Sequence, residues 1–91
     1  MTARARADLR AIGRWIARHD PERAISFVAE LRDKALGLST SYQLYPPLPG
    51  LDPALHRMNH RDYRVLYHVD EGAGVVTVLH IHHGRRANPL E

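Results

Sequence analysis

The chain has 91 residues, room for one folded domain and too few for two. Its hydrophobic content of 44% is that of a small globular fold rather than a disordered segment. The net charge of +3 suits a polyanion or an acidic protein partner without choosing between them, and the lack of cysteine excludes disulfides and thiol chemistry and fits a reducing cytoplasm.

From Ala3 to His19 the spacing predicts a helix. Leu9, Ile12 and Ile16 recur at intervals of three and four residues, with Ala5 extending the stripe and Arg4, Arg6, Asp8, Arg10, Arg14 and Arg18 mostly off it. Arginine this dense reads first as a solvated face, with a nucleic-acid contact as the alternative. Trp15 sits beside the stripe, placed for the core or for a partner surface. These first residues are charged, unlike a signal peptide, and no apolar run approaches the length of a membrane span.

Asp20-Pro21 marks a boundary, since Asp caps helix N-termini and Pro suits the first helical turn. A second helix is expected over Pro21–Thr40. Ala24, Val28, Leu31, Ala35 and Leu38 form its apolar face, widened by Phe27 and Leu36. The corner before it is short, so the two helices should pack as an antiparallel hairpin. From Ser41 to Pro53, prolines, Gly50 and two tyrosines mark an irregular crossover rather than a proline-rich ligand.

Strands follow. Ala54–His60 is the first, with Leu55, Arg57 and Asn59 alternating against His56, Met58 and His60 and either set able to face inward. After a tight turn at Asp62, Tyr63, Val65, Tyr67 and Val69 alternate against Arg64, His68 and Asp70, with Leu66 the exception; this is the period of a half-buried strand. Glu71–Gly74 supplies a short Gly-bearing turn into the β-branched run from Val75 to His82. The order predicts an α+β fold, an N-terminal helical hairpin packed on one face of a small antiparallel sheet of three strands, in a single domain spanning 1–91.

If Leu79 and Ile81 face the helices, His80 and His82 face away, beside Arg64 and His68 of the neighbouring strand and with Arg85 and Arg86 at the edge. Such a face has the groups to hold a phosphodiester. Imidazole titrates near neutrality and can move a proton, and a guanidinium binds phosphate and the charge developing on it. His80-x-His82-His83 brings a metal to mind, but no further ligands are evident and neither metal nor cofactor is expected.

The chain resembles the ParE/RelE superfamily of type II toxin–antitoxin toxins. The resemblance rests on Ala7-Asp8-Leu9-x-x-Ile12, Asp20-Pro21-x-x-Ala24-x-x-Phe27, Tyr63-Arg64-Val65-Leu66-Tyr67, and Val78-Leu79-His80-Ile81-His82-His83-Gly84-Arg85-Arg86, in the family's order and over most of the chain. It departs in two ways. The family's first strand is missing or shortened, which would leave a sheet edge with unpaired N–H and C=O groups and a chain poorly stable without a partner. The late tyrosine or histidine of RNase-type relatives is absent from Asn88-Pro89-Leu90-Glu91.

The ParE-like branch implies a cytoplasmic toxin that inhibits DNA gyrase and is neutralised by a cognate antitoxin in a hetero-oligomer. Its expected target- or phosphate-binding residues are Arg64, His68, His82, His83, Arg85 and Arg86, and its expected antitoxin contacts are Trp15, Phe27, Tyr63 and Tyr67. The alternative is a RelE-like endoribonuclease cutting mRNA in the ribosome, with Arg64, His80, His82 and Arg86 as candidate catalytic residues. A third reading is an inactive module serving only antitoxin binding and operon repression.

Overall fold

A computed structural model describes residues 1–85. Helix α1 spans Ala3–Ala17 and α2 spans Pro21–Leu36. A short helix, α3 (Leu38–Ser41), and a single 3₁₀ turn (Tyr42–Leu44) lead into the crossover. Strands β1 (Leu55–His60), β2 (Tyr63–Asp70) and β3 (Val75–His83) form an antiparallel sheet in the order β1-β2-β3. The architecture is the expected α+β layer, with the helical hairpin on one side of the sheet.

The caps follow from the sequence. Thr2 accepts the Ala5 N–H at the start of α1, and Asp20 accepts the Arg23 N–H at the start of α2, with Pro21 in the first turn. The second helix stops earlier than the expected Thr40. Gly37 is a poor helix former, and the hydroxyls of Ser39, Thr40 and Ser41 bond back to the carbonyls of Leu36 and Gly37, offering the backbone an alternative to the regular ladder.

Ala5, Leu9 and Ile12 of α1 meet Phe27, Leu31 and Ala35 of α2 over Met58, Tyr63, Val65, Tyr67 and Val69 of the sheet. Leu36, expected on that apolar face, is exposed instead. In β1 the inward set is His56, Met58 and His60. His56 donates from Nδ1 to the Tyr45 carbonyl (2.8 Å) and stacks on Tyr67, while His60 donates from Nε2 to Glu30 (2.7 Å), so each half-buried imidazole has one ring nitrogen bonded.

Strand β3 differs from expectation. The pairing runs Leu66↔His80 and then Tyr67↔Val78, so Leu79 is an extra residue in a β-bulge. The inward set is therefore Val78 before the bulge and Ile81 after it. Leu79, expected to face the helices, lies outside the core cluster.

The sheet edges are also less open than expected. Thr2 donates its N–H to the Val78 carbonyl and its hydroxyl to the Leu79 carbonyl, both at 2.9 Å, and Asp8 accepts the Ile81 N–H at 2.9 Å. On the other side Leu48 N–H bonds the Leu55 carbonyl at 2.9 Å, beside a bridge between Pro47 and His56. The chain's own segments thus satisfy edge groups that would otherwise invite another strand.

Candidate target-binding face

Alternation assigns the sheet's outer face. Across the three strands the rows are Asn59, Arg64 and His82; then Arg57, Leu66 and His80; then Leu55, His68 and Thr77. Arg64, His68, His80 and His82 therefore share one face. Arg57 and Asn59 join them, and neither was singled out in the sequence, because the facing of β1 was open there. Fixing Met58 in the core decides it.

Within this face the groups differ in freedom. The His80 and His82 rings stack with centroids 4.8 Å apart. His80 is only 6% exposed, and its Nδ1 donates to Asp8 Oδ2 at 2.7 Å. Asp8 reaches it around the β3 edge from α1, where the same carboxylate also receives Arg4 Nε at 3.0 Å. An ionised carboxylate on Nδ1 fixes the ring's tautomer and orientation. Sequence reasoning missed this role. Its one trace is that Asp8 is the only acid in a helix otherwise studded with arginine.

His83, expected among the target contacts, lies on the helix-facing side. It pairs with Tyr63, meets that ring edge-on at 5.1 Å, and accepts the Arg85 N–H on Nδ1. Alternation from Ile81, two residues before it, sets this parity. His83 is thereby parted from His80 and His82, and among the described residues no group of histidines and carboxylates is arranged to hold a metal.

At the end of the face, Asn59, Arg61, Asp62, Tyr63, Arg64, Gly84 and Arg85 line a cavity of about 170 Å³, in which three guanidinium residues outnumber the one acid. Gly84 donates its N–H to the Asp62 carbonyl at 2.8 Å and lies against the Arg64 guanidinium, where a Cβ would come within 3.0 Å of Nε. Arg61 is committed to Glu30, its Nε donating to Oε2 at 2.9 Å. Together with His60 it holds the Glu30 carboxyl at a pKa of about 2, below the ordinary 4.5. Among the described residues, Arg64 and Arg85 have no carboxylate partner. Two such guanidinia beside one cavity suit a phosphate or carboxylate group. Arg86, expected in both site sets, lies outside the described residues.

Of the aromatic residues expected to meet a partner, Phe27, Tyr63 and Tyr67 are core side chains and only Trp15 is exposed, with the Arg18 guanidinium 5.1 Å from its ring centroid. No helix among the described residues is long and apolar enough to cross a membrane.

A helical hairpin over a three-stranded antiparallel sheet with a basic outer face, carrying those motifs in that order, is the build of a ParE/RelE-superfamily toxin. Within that class, the ParE toxin family of type II toxin–antitoxin systems, parDE, matches residues 1–88, and the chain belongs to it. No curated protein matches the chain.

Proposed function

We propose that this ParE-family chain arrests growth by binding DNA gyrase through the outer sheet face around Arg64, and that a cognate antitoxin neutralises it. The observation that carries this reading is the state of His80. An RNase centre built on these imidazoles needs one accessible beside its phosphate-binding arginine, whereas His80 is buried and bound to Asp8, and the ring nitrogens of His82, across from Arg64, are buried as well. What the face presents is guanidinium charge over a partly apolar surface, with Leu66 and Leu55 between the arginines and histidines. That combination fits protein recognition better than proton transfer.

Induced expression without antitoxin tests it. Growth should stop, plasmid supercoiling should fall and an SOS reporter should rise, with no new mRNA ends by primer extension. Arg64→Ala should restore growth. New mRNA ends without an SOS response would replace this reading with the ribosome-dependent RNase, and unimpaired growth would leave the module that only binds antitoxin and represses its operon.

A further inference from the structure

The cavity at the end of the sheet face is built where two parts of the chain meet. Arg61 and Asp62 turn β1 into β2, and Gly84 and Arg85 follow the end of β3. The Gly84 N–H donates to the Asp62 carbonyl at 2.8 Å and ties the two together. The Arg85 N–H donates to His83 Nδ1 at 3.0 Å, which fixes the backbone from which Arg85 projects. Tyr63, buried and packed ring to ring with Phe27, closes the cavity toward the core. Gly84 leaves room for the half-buried Arg64, since a Cβ there would come within 3.0 Å of its Nε and 3.4 Å of its Cζ. The Arg64 head group is therefore seated by the fold rather than left to sweep through solvent.

Charge and size limit what this cavity can hold. Of its three guanidinia one is already engaged, Arg61 donating from Nε to Glu30 at 2.9 Å. Arg64 and Arg85 have no carboxylate partner among the described residues, and Asp62 is the one acid of the lining. Two guanidinia against one carboxylate leave a surplus of one positive charge, which matches a single monoanionic group. A phosphorylated side chain, with roughly −1.5 to −2 at neutral pH, would exceed it. At about 170 Å³ the cavity is also smaller than the roughly 300–1,000 Å³ of sites that enclose a free small molecule, so it suits one head group of a larger partner. The exposed Asn59 amide supplies further donors at the same place, and a guanidinium fork takes both oxygens of a carboxylate in one plane.

We infer that this cavity is a carboxylate socket, which takes one aspartate or glutamate side chain from the surface of the target protein, with the forks of Arg64 and Arg85 on its oxygens. The surroundings favour a protein acid over an RNA phosphodiester. Leu66 follows Arg64 on the same face, two residues and roughly 7 Å along the strand, and Leu55 is its diagonal neighbour on β1. Apolar side chains beside the acid would be buried against them. The outer strand positions carry no phenylalanine, tyrosine or tryptophan for a base to stack on, and the His82 ring is already stacked on His80. Arg57, in the same row as Leu66 and without a carboxylate partner among the described residues, adds attraction for an acidic surface. That the acid belongs to the growth-arrest target rests on the function proposed above; the socket's ligand chemistry rests on its lining alone.

Titration of the full isotope-labelled chain tests this, followed by NMR at the Gly84 amide and the Arg64 and Arg85 Nε–H signals. The probes are a blocked peptide with a glutamate two residues from a leucine, the same peptide with glutamine, the same with phosphoserine, and a single-stranded RNA oligonucleotide. The glutamate peptide should shift those signals saturably, the glutamine peptide should not, and the phosphoserine peptide should bind more weakly than the glutamate one. Arg64→Lys and Arg85→Lys keep the charge and lose the fork, so each should weaken glutamate binding about tenfold with an unchanged thermal melt. Arg85 is exposed, so its variant reads the socket even if Arg64→Lys disturbs the sheet. Equal response to glutamate and glutamine, binding that both lysine variants leave intact, no saturable shift at millimolar peptide, or tighter binding of phosphoserine or RNA would overturn the inference. Neither gyrase nor growth enters the titration. A chain that binds the acid but fails to arrest growth keeps the socket and loses the target, and gyrase inhibition by a chain whose titration is silent does the reverse.

Discussion

Asp8 and His80 lie 72 residues apart and meet at 2.7 Å, joining the first helix to the last strand where that strand leaves its bulge. The same carboxylate oxygen takes the Ile81 N–H, so Asp8 serves as a short stretch of neighbouring strand for the β3 edge. Removing it strands a buried imidazole N–H and a backbone N–H together. Asp8→Ala should therefore cost about 2–3 kcal/mol, read as a lowered urea midpoint, with Asp8→Asn losing less because its amide oxygen still accepts. Wild-type stability for Asp8→Ala would show that the edge closes without it.

Arg64 and Gly84 make a prediction about the candidate face rather than the fold. The guanidinium lies in tight contact with the place a Gly84 Cβ would take, its Nε 3.0 Å away. Gly84→Ala should push Arg64 away from its seat beside Arg85 while changing stability by less than about 0.5 kcal/mol, since the yielding atoms belong to a flexible side chain near the surface. Growth arrest on induction should weaken as it does for Arg64→Ala. Full arrest with a displaced Arg64 would move the target contact elsewhere on the sheet.

The sequence discloses those parts of the fold that depend on period and on caps. Strand β2 alternates cleanly because only one of its faces is buried, and Asp20-Pro21 states a helix start in two residues. It conceals what depends on register. In β3, valines, Ile81 and histidines occupy both parities, so nothing local marks Leu79 as the extra residue, and the bulge puts Val78 in the core in its place, while His83 lies on the helix side by plain alternation from Ile81. Aromatic residues were a poor guide to the partner surface for a related reason. Phe27 and Tyr63 pack ring to ring, 5.3 Å apart, because a core this small needs its largest side chains. Asp8 was invisible because its partners come from the far end of the chain. Of the expected target contacts, Arg64, His68 and His82 do share a face, as alternation implied.

Acid should loosen the turn between β1 and β2. Arg61 there has a left-handed φ of 53°, which costs a non-glycine residue energy, and its bond to Glu30, with that of His60, straps the turn to α2. The Glu30 carboxyl is held at about 2 by its hydrogen bonds to Arg61 and His60. A lowered carboxyl favours the ionised form in the fold. The contribution is thus complete above the ordinary 4.5 and fades as pH falls toward about 2. Glu30→Gln should reduce stability at neutral pH and flatten the acid limb of the stability curve over that window. An acid limb identical to that of the wild type would mean that other carboxylates govern it.

Alkali probes the opposite side of the core. Tyr67 is fully buried, stacks on His56 and donates its hydroxyl to the Tyr42 carbonyl at 2.8 Å, tying β2 to the crossover. Burial pushes its hydroxyl up to about 12 from the ordinary 10. The neutral form is favoured in the fold, so this contribution is complete below about 10 and is lost as pH rises toward about 12. Tyr67→Phe keeps the ring and removes the hydroxyl, leaving the Tyr42 carbonyl without its donor. It should cost about 1–2 kcal/mol near neutrality. Because phenylalanine cannot ionise in the unfolded chain, the variant should also lose less stability than the wild type between about pH 9 and about pH 11. Urea midpoints at those pH values separate the two effects: a neutral-pH loss alone reports the hydrogen bond, and a shallower alkaline slope reports the buried hydroxyl's resistance to ionisation.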